Sequence, residues 1–135
     1  MQKYSLGNCQ VELDRELTLN WYEKSDGWAC ECGHCRNFLT LAKNKELPKH
    51  IVDILDELGI LPEKATYVCE LYTDDAGVHY QFSYRIAGTI IDTDNSGEVC
   101  CRHEPYPYGA PNFPTPHFDL DFCATLPWVL NEPQK

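Results

Sequence analysis

Between Val78 and Ile86 the chain alternates without a fault. Val78, Tyr80, Phe82, Tyr84 and Ile86 are apolar, and His79, Gln81, Ser83 and Arg85 between them are polar. Successive strand residues face opposite ways, so this pattern predicts an antiparallel strand with one face on a core and one in water. Its flanks supply neighbours. Thr66 to Thr73 reads as a strand, and Asp74-Asp75-Ala76-Gly77 as the hairpin loop joining the two. Gly88 breaks or bulges the run before Thr89-Ile90-Ile91 continues it. Val99-Cys100-Cys101 adds another strand. Phe118, Leu120, Phe122 and Ala124, alternating with Asp119, Asp121 and Cys123, add a last one.

Upstream the period changes. Cys35, Phe38, Leu39 and Ala42 share one face of a helix running to Lys43. Pro48 suits the first turn of a second helix, Ile51, Ile54, Leu55 and Leu58 form its stripe, and Gly59 fits its left-handed end. Before these, Val11/Leu13 and Leu17/Leu19/Trp21 alternate, which reads as two short strands or one strand broken at Asp14-Arg15-Glu16. Lys24-Ser25-Asp26-Gly27 reads as a turn. The expected architecture is α+β: two amphipathic helices packed on an antiparallel sheet. At 135 residues, the span 1–135 fits a single domain.

The chemistry concentrates at Trp28-Ala-Cys-Glu-Cys-Gly-His-Cys-Arg, which holds Cys30, Cys32 and Cys35. Two sulfurs on a tight Cys-x-x-Cys turn fit one tetrahedral zinc ion, and Gly33 eases the turn. Cys30 offers a third ligand. A structural site needs four, and the distant candidates are Cys9, Cys69, His79, Cys100, Cys101, His103, His117 and Cys123. No second Cys-x-x-Cys exists; Cys100-Cys101-Arg102-His103 is the nearest substitute. Cys32-Gly33-His34-Cys35 also resembles, over about seven residues, the redox tetrad of the disulfide isomerases. There a thiol at a helix N-terminus becomes the nucleophile, here Cys32, with Cys35 as the resolving thiol. The thioredoxin pattern requires a parallel strand running into the motif, yet Glu23-Lys24-Ser25-Asp26-Gly27 precedes it. The third reading is ordinary burial, since cysteine packs as a small hydrophobe; Cys35 lies on the apolar helix face, and Cys69 alternates with Tyr67 and Leu71 as core residues do.

Four stretches, Cys-Glu-Cys-Gly-His-Cys-Arg-Asn-Phe, Leu-Gly-Ile-Leu-Pro-Glu-Lys, Tyr-Gln-Phe-Ser-Tyr-Arg-Ile-Ala-Gly and Leu-Pro-Trp-Val-Leu-Asn-Glu-Pro, together resemble a family of small bacterial proteins. The resemblance covers most of the chain from Trp28 onward. It implies a bacterial, cytosolic setting. The family has no assigned activity, so the resemblance supplies no catalytic residue.

The net charge of −10, from 21 acidic against 11 basic residues, argues against nucleic acid and anionic lipid as partners. No apolar run reaches bilayer length and the N-terminus carries no apolar signal region, so a cytoplasmic protein with reduced thiols is expected. Asp92 to Val99 matches the opening of a calcium loop but lacks its closing glutamate, and a plain turn explains the same residues. Asp119 and Asp121 form either an acid pair or the wet face of a strand, and the wet face is the simpler reading. No serine lies in a nucleophile elbow, and the histidines are scattered. Tyr106, Tyr108, Phe113 and Phe118, set among prolines, make either a partner surface or a lid on the core. The function expected is a binding or interaction module rather than an enzyme, with structural zinc on Cys30, Cys32 and Cys35. The alternatives are a thiol–disulfide oxidoreductase and an acidic inhibitor or immunity-type protein that masks a basic partner.

Overall fold

A computed structural model describes residues 1–28, 30–93, 99–103 and 110–134. The chain runs β1 (Gln2–Leu6), β2 (Cys9–Leu13), α1 (Arg15–Lys24), α2 (Gly33–Lys43), α3 (Lys49–Leu58), β3 (Tyr67–Asp74), β4 (Gly77–Asp92), β5 (Val99–Arg102) and β6 (His117–Leu126). The six strands form one antiparallel sheet in the order β1-β2-β4-β6-β5, with β3 also on β4. Strands dominate this α+β fold.

The alternating run is the spine. The first half of β4 pairs with β3 and with β6, and its end pairs with β2 from Gly88↔Leu13 to Asp92↔Gln10. The change of partner falls at Gly88, where φ is +148°. A Cβ there would lie 2.1 Å from the Glu12 carbonyl oxygen, so only glycine lets β2 come this close. Strand β3 meets β4 through Asp74↔Gly77, leaving Asp75-Ala76 as a two-residue loop.

The apolar face of β4 and β6 carries the core. Phe38 of α2 packs on Phe82 at 4.7 Å between ring centres and on Tyr80 at 5.7 Å, and Phe82 meets Phe122 at 5.7 Å. Leu41 of α2 and Ile51, Leu55 and Leu58 of α3 complete it. Gly59 ends α3 at φ +80°, in the left-handed conformation its position suggested.

Three expectations are corrected. There are three helices rather than two, because Arg15–Lys24 is α1, not a strand. Asp14 caps it, its side chain accepting from the Leu17 N–H at 2.9 Å. Thr18 and Tyr22, one turn apart, are buried and fix the helix to β4: the Ala87 N–H donates to the Thr18 hydroxyl, and the Tyr22 hydroxyl donates to the Arg85 carbonyl. Second, the polar face of the sheet is not all wet. Asp119 is 1% and Asp121 4% exposed. The register sets each acid opposite its partner, Arg85↔Asp119 and Ser83↔Asp121. Arg85 Nε donates to Asp119 Oδ1 at 2.9 Å, and the Ser83 hydroxyl donates to Asp121. Third, in β3 it is Val68 that is buried, while Cys69 is half-buried and Leu71 is 47% exposed. Beyond these, β1 is a strand that its polar sequence does not announce.

Phe113 and Phe118 are buried, and Phe113 packs on Trp21 at 4.9 Å, so this part of the proline-rich segment covers the core. Tyr106, Tyr108 and residues 94–98 of the calcium-loop match lie outside the described residues. Among the described residues no helix is long and apolar enough to cross a membrane.

Candidate metal centre

Past Ser25, which ends α1, the described residues up to Cys32 form no helix or strand. Helix order returns at Cys32, the N-cap of α2. Its carbonyl accepts from the Arg36 N–H at 2.9 Å, and its sulfur accepts from the Cys35 N–H at 3.5 Å. A thiol thus does the capping that a serine or aspartate commonly does. This places Cys35 one turn in and on the inner face, while Cys30 sits on the chain leading up to the helix.

The structure brings together the three cysteines that the sequence singled out. The Cys30, Cys32 and Cys35 sulfurs all lie within 4.8 Å of one another. Three sulfurs sharing a zinc ion at about 2.3 Å each are roughly 3.8 Å apart, so the cluster needs little movement to close on an ion. Cys35 is 7% exposed, Cys30 is half-buried and Cys32 is exposed. Among the described residues no fourth histidine, cysteine or carboxylate joins them. Three of the eight distant candidates are engaged elsewhere: Cys9 with Thr93 at 3.3 Å, His79 with Asp74 and Thr125 at 2.9 Å each, and His117 with the Pro114 carbonyl at 2.9 Å.

The thiols are electrostatically unequal. Burial alone would raise Cys32, but hydrogen bonds from the Cys35 N–H, the Cys30 and Cys35 thiols and the His34 N–H outweigh it, so its pKa is lowered. Burial pushes the Cys35 thiol up to about 12, with the Cys30 thiol adding to the rise and the Trp28 indole N–H, 3.3 Å from its sulfur, opposing it. A metal ion would supply the charge needed to ionise all three.

Around the thiols lies a frame that sequence reading did not assign. Asn37, fully buried, donates to the Pro127 carbonyl at 3.0 Å and accepts from the Val129 N–H at 2.8 Å. It thereby holds the chain beyond β6 against the start of α2. The Trp128 ring meets His34 edge-on at 5.6 Å, and Arg36 pairs with Glu132 at 2.5 Å. Tyr80 of β4 donates to the His34 carbonyl at 2.6 Å. Burial raises that phenol to about 12, so it stays a donor. The signal for this frame was present in Leu-Pro-Trp-Val-Leu-Asn-Glu-Pro, but nothing in the pattern says which surface that segment covers. No family model, curated protein or solved structure matches the chain.

Proposed function

We propose that the protein is a small binding or interaction module of a reducing compartment, whose segment from Cys30 to Cys35 is clipped by a zinc ion held on Cys30, Cys32 and Cys35. The observation that carries the reading is the gathering of three sulfurs within 4.8 Å at the point where irregular chain becomes helix. A stretch without helix or strand gains most from a metal bond, because binding energy there is folding energy. Zinc binding the folded form at a hundred times its Kd adds about 2.7 kcal/mol. Unfolding followed with zinc and then with a chelator therefore tests the reading. The wild type should melt several degrees higher with zinc, and Cys32→Ser should not respond. An unmoved wild type would remove the metal.

A second reading has its own support. Cys32 is exposed with a lowered pKa, above a buried Cys35 with a raised one, the division of labour of a thiol–disulfide oxidoreductase. The Cys32 thiolate would attack a substrate disulfide and Cys35 would release it as the dithiol, leaving a Cys32–Cys35 disulfide, one bond reduced for one formed. The sheet has only antiparallel pairs among the described residues, so such chemistry would not use the thioredoxin scaffold.

A further inference from the structure

We propose that the metal held by Cys30, Cys32 and Cys35 keeps one coordination position open, and that a small-molecule thiol takes that position from the cleft beside Cys32. The inference rests on the metal reading above and goes past a closed structural site. Zinc completes four bonds, and sites that offer three protein ligands leave the fourth to water or substrate. Here three sulfurs converge, and no fourth protein ligand joins them among the described residues.

The direction of the open position follows from burial. Cys35 lies beneath the cluster and Cys32 is exposed, so an ion on the three sulfurs has its covered side toward Cys35. Beside Cys32 lies a cleft of about 290 Å³, whose walls include Gly33, His34, Arg36, Trp128 and Glu132. This volume admits a small molecule and not a folded chain. Gly33 keeps it open: a Cβ at this position would meet the Trp128 ring at 3.4 Å, and a longer side chain would fill the space.

The chemistry selects the class of ligand. Three thiolates make the ion a soft partner that favours sulfur over a hard oxygen donor. A thiol bound there gives up its proton to solvent and becomes a thiolate, and no oxidant enters. The zinc–thiolate group then carries a further negative charge. The Arg36 guanidinium, paired with Glu132, stands at the wall of the same cleft.

Cobalt(II) reports the outcome, since each cobalt–thiolate bond adds to the near-ultraviolet absorption of a tetrahedral site. The full chain is loaded with cobalt and titrated with 2-mercaptoethanol, beside Gly33→Leu. We expect a band of three thiolate bonds that grows by one bond as the thiol saturates. In Gly33→Leu, measured against its own starting band, the thiol should bind at least about tenfold more weakly. A three-bond band that ignores the thiol would overturn the inference and leave the metal reading standing. An identical response in both proteins would take the ligand out of the cleft and overturn it too. No band at all would end the metal reading, and this inference with it. Circular dichroism of Gly33→Leu checks that α2 is intact; if it is not, Glu132→Trp, which fills the same cleft from another of its walls, takes its place.

Discussion

Single residues here do work that their types alone do not reveal. Asp121 looks like a surface acid, yet burial pushes its carboxyl up to about 6, with nearby Asp119 adding to the rise and the Ser83 hydroxyl and Arg102 opposing it. Its folded pKa lies above the ordinary carboxyl value, so the protonated form is favoured by folding. The stability this gives is complete below the unfolded pKa and is lost as pH rises through about 6. Wild type should therefore lose stability relative to Asp121→Asn between about pH 4 and pH 7, by up to about 1.4 kcal/mol per pH unit. Urea unfolding of both proteins across that range checks it; parallel curves would contradict the assignment. The sequence held half of this. Period two set Asp119 and Asp121 on one face of their strand, but a pattern of alternation says neither that Ser83 and Arg85 stand opposite them nor whether that face is covered. Arg85 and Asp119, opposite each other and both buried, show that here it is.

Elements were legible where one signal dominated. The stripe Ile51, Ile54, Leu55, Leu58 with Gly59 after it defines α3, and the run from Val78 defines β4. They failed where two periods competed. Leu17, Leu19 and Trp21 alternate as a strand would, but the burial that decides the matter is at Thr18 and Tyr22, and the cap that starts the helix is Asp14. Asp14→Ala should cost about 1 kcal/mol in chemical denaturation by leaving the Leu17 N–H without its acceptor. A change within error would mean that packing alone holds α1. The chain beyond β6 is an element of the site because of Asn37. Asn37→Ala strips the Pro127 carbonyl and the Val129 N–H of partners and should cost about 2 kcal/mol. Hydrogen exchange at Val129 should quicken in that variant more than exchange in β4. Uniform quickening would show instead that Asn37 serves only the core.

At the scale of the molecule, a sheet with helices on its apolar face forms the framework, and the thiols sit at its margin where α2 begins. The cluster of Cys30, Cys32 and Cys35 could be read from spacing, because Cys-x-Cys-x-x-Cys confines three sulfurs whatever the rest of the fold does. The cleft could not, because Trp128 and Glu132 come from the far end of the chain. The net charge of −10 calls for no basic patch to accompany it, and salt should stabilise such a chain by screening its own repulsion. The central claim is that the three thiols hold a metal. Its most direct measurement is a native mass spectrum of protein purified without chelator, set beside the denatured spectrum. The account predicts a zinc-sized increment that denaturation removes and that Cys32→Ser lacks. A metal-free native mass, with the thiols reduced or with a Cys32–Cys35 disulfide that dithiothreitol reverses, would contradict it.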